Sequence, residues 1–318
     1  MPPLLYQLVK KLSEQKIPFI FDLQDYYPTS ATGYIFSVDS MPGTIAKGFF
    51  ETITRFLIKS ANAVTVPGIA LANYAKRVGA RRVYIIPNGI SEHFLKLYDG
   101  KEIRKKLSFD INDIVVGYIG SIEFWLDMKP MIKGIAKAHS KGIPVKLLLI
   151  GKRLQTAYPR KVKKWIKKYG IEKITTWLGF IPHEEVPKYI AVMNIGTIPF
   201  NVNNLTAYYA VPNKMWEFLS QQKPVIATPI PEAIANRDYI DLVKGYSDYF
   251  KIITMLNQNR YDYSKVIKGY AKARRLTWKR STDNLKELLI GIKNNSSNFQ
   301  PRRFQQRQYI LRVYCSES

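Results

Sequence analysis

Apolar positions along this chain switch between two periods, and the switches mark out its elements. From Leu4 to Glu14 apolar residues recur at helical spacing, and basic residues close the segment. Ile17 to Asp22 is a short continuous apolar run, the form taken by a buried parallel strand. It enters a polar turn, QDYYP at 24–28, and residues 30–43 read as loop. Thr44 to Ser60 predicts a long helix with Phe49, Phe50, Ile53, Phe56 and Leu57 on one side. AVTVP (63–67) predicts a strand, Ile69 to Val78 a helix, and VYIIPNG (83–89) a strand ending in a turn dipeptide. Such βαβαβ alternation predicts a parallel sheet.

Residues 91–112 are charged and lack strand patterning, which places a domain boundary near position 92. The alternation then resumes. Asp113 to Gly120 is a strand, Lys129 to His139 a helix, and Val145 to Gly151 a strand. Pro159 to Tyr169 is a basic helix, 174–182 a strand and loop, Glu184 to Met193 a helix, and 195–200 a strand. In PNKMWEFLSQQKPVIAT, Pro212 to Thr228, a proline at a first helical position leads Met215, Trp216, Phe218 and Leu219 into the core. Pro224 to Thr228 follows as a strand, and 235–290 reads as mostly helical. From Asn294 the composition turns to Asn, Ser, Gln and Arg, as in a disordered tail. The expectation is an α/β protein of two Rossmann-like domains, 1–92 and 93–290, with a basic tail over 291–318.

Charge narrows the partners. Lys and Arg number 49 against 24 Asp and Glu, a net +25, which favours polyanions: nucleic acid, phosphates or an anionic membrane surface. The single cysteine, Cys315, excludes an internal disulfide and a cysteine-based metal cluster. His93, His139 and His183 have no partner four residues away, which argues against zinc. No apolar run reaches the length of a membrane span, and MPPLLYQLVKKLSEQ is too polar for a signal peptide. The expected location is cytoplasmic, with the inner membrane face within reach.

Three loops carry the candidate chemistry. Gly120-Ser121 with downstream Lys129, Gly151-Lys152-Arg153, and the segment into Pro212 all follow strand C-termini, which converge on one crevice in a doubly wound sheet. Glycine turns, cations and a helix N-terminus together suit a diphosphate, with Lys129 as a point charge. Singly, each lysine suits a solvated surface, and the common placement is what singles them out. Asn213 and Glu217, four apart, share one helix face, where a carboxylate can accept hydrogen bonds from a vicinal diol such as a ribose. The same residues also suit an ordinary αβ unit with a solvated glutamate. Asp25, at a strand's C-terminal end, either faces a ligand or caps a turn.

IPNG at 86–89, GYIGSIEFWLDMK at 117–129, LLLIGK at 147–152, WLGFIPHEEVPKYIAVMNIGTIPF at 177–200 and PNKMWEFLSQQKPVIAT at 212–228 occur in an order and spacing that resemble a GT-B glycosyltransferase, close to family 4 of the retaining enzymes. The resemblance spans about residues 17–290. It implies that Glu217 holds the donor ribose, Lys129 contacts the donor diphosphate, Gly120 belongs to the phosphate-side loop, and the backbone at Phe180 and Ile181 grips the base. Pro212 and Lys214 match a P-x-K-x-x-E variant of relatives that handle polysaccharides and cell-surface glycans, and Asp25 resembles the acidic loop facing the acceptor. It further implies a UDP- or GDP-sugar donor, a glycan or lipid-linked acceptor, no resident cofactor or metal, and retention of anomeric configuration.

The chain departs from the family pattern in places. Tyr209 stands where the first glutamate of the family pair belongs, and Ser121 replaces an arginine common after the phosphate-loop glycine. The opening MPPLLYQL resembles the middle of the family's first domain, so about 80 residues are expected to be absent on ordinary domain size. These departures keep a second reading open, a non-catalytic remnant that binds nucleotide sugar or a partner enzyme. A third, a nucleic-acid binder, rests on charge and aromatics alone, without an RRM, KH or helix-turn-helix signature.

Overall fold

The computed structural model describes residues 2–35, 40–151 and 157–293. Lys152 and the tail from 294 onward, both singled out in the sequence, lie outside the described residues.

The first lobe runs α1 (Pro2–Glu14), β1 (Ile20–Asp22), α2 (Tyr27–Ile35), α3 (Met41–Ser60), β2 (Ala63–Val66), α4 (Ile69–Val78) and β3 (Val83–Ile85). Its strands pair in parallel in the order β1-β2-β3, with Ile20 opposite Ala63 and Val64 opposite Val83. The fully buried run of β2 fits a central parallel strand covered on both faces. Residues 30–35 and 41–43, expected as loop, are helical. The Thr32 hydroxyl bonds back to the Pro28 carbonyl at 2.7 Å, satisfying within α2 a polar side chain that otherwise marks a turn. Helix α3 starts three residues before the expected Thr44, because the Ser40 side chain accepts from the Gly43 N–H at 3.2 Å and Pro42 fits the first turn.

The second lobe opens with a 3-10 turn (Glu92–Leu95) and continues α5 (Lys101–Lys106), β4 (Ile114–Ile119), α6 (Met128–Ser140), β5 (Val145–Ile150), α7 (Tyr158–Lys168), β6 (Thr175–Leu178), α8 (Val186–Val192) and β7 (Ile195–Ile198). Then come α9 (Leu205–Tyr208), α10 (Lys214–Ser220), β8 (Val225–Ala227), α11 (Pro231–Ala235), β9 (Asp241–Leu242), α12 (Tyr246–Asn257), α13 (Ser264–Ala273) and α14 (Trp278–Lys293). The sheet is parallel, ordered β6-β5-β4-β7-β8-β9. Winding therefore reverses between β4 and β7, the place where open α/β sheets leave a crevice. Three details depart from the sequence reading. Helix α9 interrupts the loop before Pro212, β9 lies within the stretch read as helical, and α14 runs on to Lys293.

Most of the core surrounds this six-stranded sheet, and a smaller core fills the first lobe. Residues 276–281 return to the crossing between lobes. The Ile90 N–H donates to the Leu276 carbonyl at 2.7 Å, and the Ser281 hydroxyl donates to the Pro87 carbonyl at 2.6 Å.

Candidate functional site

A cavity of about 330 Å³ opens at the β4/β7 reversal and is closed from the first lobe by Asp25, just past β1. Gly120, His183, Pro212, Asn213, Lys214 and Glu217 line it from the second lobe. Sequence positions far apart thus meet because each follows a parallel strand's carboxyl end.

Backbone geometry shapes its floor. Gly120 has φ +129° and Gly151 φ +156°, conformations that disfavour any side chain. A Cβ on Gly151 would stand 2.0 Å from the Gly120 carbonyl oxygen, so the two turns are pressed together. A Cβ on Gly120 would meet the Lys214 ammonium at 2.6 Å. The glycine at 120 is therefore what allows that cation to lie against the strand end.

Lys214 is held by aromatic and hydroxyl groups. Its Nζ lies 3.5 Å from the Tyr118 hydroxyl, 4.8 Å from that ring's centre and 5.6 Å from the centre of Phe200. The Tyr118 hydroxyl donates in turn to the Ser121 carbonyl at 2.8 Å, so Ser121 contributes through its backbone. Burial pushes the Lys214 pKa down to about 8, with the Glu217 charge acting the other way. This is a cation short of solvent and short of counter-charge, the condition in which an anion binds strongly.

Glu217 stands one turn along α10. Its Oε1 is 3.5 Å from His183 Nε2, and this partner raises the pKa of the imidazole. The start of α10 differs from the sequence reading. The helix begins at Lys214 rather than Pro212, and the Met215, Trp216 and Glu217 N–H groups donate to the Pro212 and Asn213 carbonyls at 2.9–3.1 Å. Those three amides are spent on a tight turn, and the Lys214 ammonium adds a full charge at the same helix start. Asp25 faces the same cavity, and burial raises its pKa.

The remaining candidates lie apart. Lys129 is exposed on the first turn of α6 and does not line the cavity. Phe180, 76% exposed, and the half-buried Ile181 sit on the loop after β6, also outside the lining. Tyr209, in the place of the family's first glutamate, belongs to the first-lobe core. It stacks on Tyr26 at 4.4 Å and accepts from Arg77 Nη2 at 3.3 Å. The Tyr26 and Tyr74 hydroxyls both donate to Glu51, at 2.8 and 3.0 Å. Two contributors escaped the sequence reading. Tyr118 reads there as one more strand residue, and the one signal for His183 is its place in the WLGFIPH loop. Among the described residues no three His, Cys, Asp or Glu side chains are placed to hold a metal ion, and no helix is long and apolar enough to cross a membrane.

Residues 99–236 match the family model described as glycosyl transferases group 1. Among solved structures the chain is similar to Anabaena HepE in complex with UDP and glucose, at 18% identity over 91% of this chain and 76% of that one, with a TM-score of 0.72. It is also similar to sucrose-phosphate synthase from Thermosynechococcus elongatus, at 16% identity over 92% of this chain and 72% of that one, TM-score 0.66. A glycosyltransferase from Rickettsia africae matches at 14% identity over 91% and 80%, TM-score 0.61. No curated protein sequence matches. The fold is that of the GT-B glycosyltransferases.

Proposed function

We propose that this chain transfers a sugar from a nucleoside-diphosphate sugar to a hydroxyl of a glycan or lipid-linked acceptor. The observation that carries the reading is that Lys214 and Glu217, three residues apart on α10, line one cavity at the sheet's reversal point, opposite Asp25. The Glu217 carboxylate accepts from the ribose diol and the Lys214 ammonium meets the diphosphate. The loop after β6 would reach the base through its backbone at Phe180 and Ile181, as the family resemblance implies. In the reaction the acceptor oxygen bonds the anomeric carbon, the bond from that carbon to the β-phosphate oxygen breaks, and the acceptor proton is lost. Lys214 stabilises charge developing on the leaving diphosphate, a preorganised electrostatic effect that gives the protein its own cation for this step. Asp25, with its raised pKa, is suited to take the acceptor's proton. We propose retention of configuration, on the resemblance to family 4 alone, which requires the acceptor oxygen to attack from the same face that the diphosphate leaves. HepE structures hold UDP and UDP-glucose, which favours a UDP-sugar as donor over a GDP-sugar.

A lipid-linked acceptor is supported by a further observation. Met41, Ile45 and Phe49, spaced one turn apart on α3, are 79%, 66% and 54% exposed. They lie beyond α2, which starts two residues past Asp25, and Tyr27 contacts Phe50 at 5.9 Å between ring centres. An apolar stripe leading away from the acceptor side fits a lipid tail or membrane face. Helix α7 turns only cations outward, since Val162 and Ile166 are buried in the core. Its contribution would be attraction to anionic headgroups.

The test is release of nucleoside diphosphate from UDP- and GDP-sugars, with and without a lipid extract. The wild type releases one of them, and Lys214→Met lowers kcat/KM at least about tenfold, as expected for loss of one charge-assisted contact. Undiminished release by Lys214→Met would remove that lysine from the reaction, and binding without release would favour a non-catalytic nucleotide-sugar binder.

A further inference from the structure

The transfer scheme gives no task to His183, although it stands at the cavity mouth against the residue proposed to hold the ribose. His183 Nε2 lies 3.5 Å from Glu217 Oε1, and the imidazole is braced from behind. The His93 ring meets it edge-on at 4.8 Å, and the fully buried Phe94 ring lies 5.1 Å away. These two rings come from the 3-10 turn at the lobe crossing and back the imidazole, whose side chain is 53% exposed, on the side away from the carboxylate. A glutamate has several rotors, and one held before the ligand arrives loses less freedom on binding.

We propose that His183 is a positioning residue of the donor site, engaging one Glu217 oxygen so that the carboxylate is presented to the ribose diol, and that its protonation tunes nucleotide-sugar affinity. The inference rests on the donor-site reading above. The titratable and charged groups that face the imidazole are Glu217 on α10, Glu184 next in the chain and His93 from the 3-10 turn, with Lys214 and Asp25 lining the same cavity. Glu217 has the largest effect, followed on the same side by Glu184, and both favour the imidazolium. The sign follows. Below its raised pKa His183 is charged, grips Glu217 and adds positive charge near the diphosphate. As pH rises through that pKa the charge is lost, and affinity falls. Lys214 also loses its charge with rising pH, but around pH 8. UDP-glucose is the suitable ligand because, unlike UDP, it has no phosphate that titrates near neutrality.

The experiment is calorimetric titration of the full chain with UDP-glucose and, in parallel, a GDP-sugar, from acidic to mildly alkaline pH. For whichever binds, the wild type loses about three- to tenfold in affinity across the histidine range. His183→Gln keeps an N–H donor but cannot titrate, so its profile is flat there and falls only where Lys214 deprotonates. His183→Ala binds more weakly throughout. As a second readout, the His183 ring-proton NMR titration moves to lower pH in Glu217→Gln. A His183→Gln profile that still follows the wild type, or a His183 titration indifferent to Glu217→Gln, would overturn the proposal while leaving the donor site standing. Failure of the wild type to bind either sugar nucleotide at any pH would overturn both.

Discussion

At the scale of single residues, the site depends on an atom that is missing. Gly120 carries no Cβ, and the Lys214 ammonium occupies the space next to where one would be, 2.6 Å away. Gly120→Ala therefore strains the backbone at φ +129° and displaces the cation. We expect it to cost about 1–2 kcal/mol of stability and at least about tenfold in nucleotide affinity, by urea unfolding and calorimetry. Loss of stability with full affinity would show that Lys214 does not need this place. Glu217, Lys214 and Gly120 were legible in the sequence because each stands in a local motif after a strand. Tyr118 and His183 were not. Tyr118 meets Lys214 across 96 positions, a pairing that only the fold makes.

Among elements, α10 shows both the reach and the limit of pattern reading. Its apolar face was plain from Met215, Trp216, Phe218 and Leu219, all buried. Its first turn was not, because whether an N–H is free depends on backbone angles that proline and asparagine only bias. Helix α2 was hidden for a different reason, since Thr32 satisfies its hydroxyl on its own helix. Tyr209, just past α9, joins the lobes by entering the aromatic cluster of Tyr26 and Tyr74. The family pattern would put a glutamate there. Tyr209→Glu would place a second carboxylate beside the Glu51 network, with Arg77 as its nearest cation. We expect a loss of roughly 3–5 kcal/mol in urea unfolding and no gain in sugar transfer. A more active, equally stable variant would mean that position 209 keeps the family role and that the aromatic cluster is incidental.

For the whole molecule, the parallel alternation read from the sequence is present as two sheets, with the cavity where their carboxyl ends meet. The net charge of +25 agrees with an anionic substrate but points to no particular place. Location came from topology, which sets Asp25 of one lobe against Lys214 and Glu217 of the other. The central question is whether this cavity takes a nucleoside diphosphate through α10. The most direct measurement is calorimetric titration of UDP into the wild type and into Glu217→Ala at neutral pH, with circular dichroism to confirm that both are folded. We expect micromolar binding by the wild type and an affinity at least about tenfold lower in the variant. Equal binding by both proteins, or none by the wild type to UDP or to GDP, would contradict it.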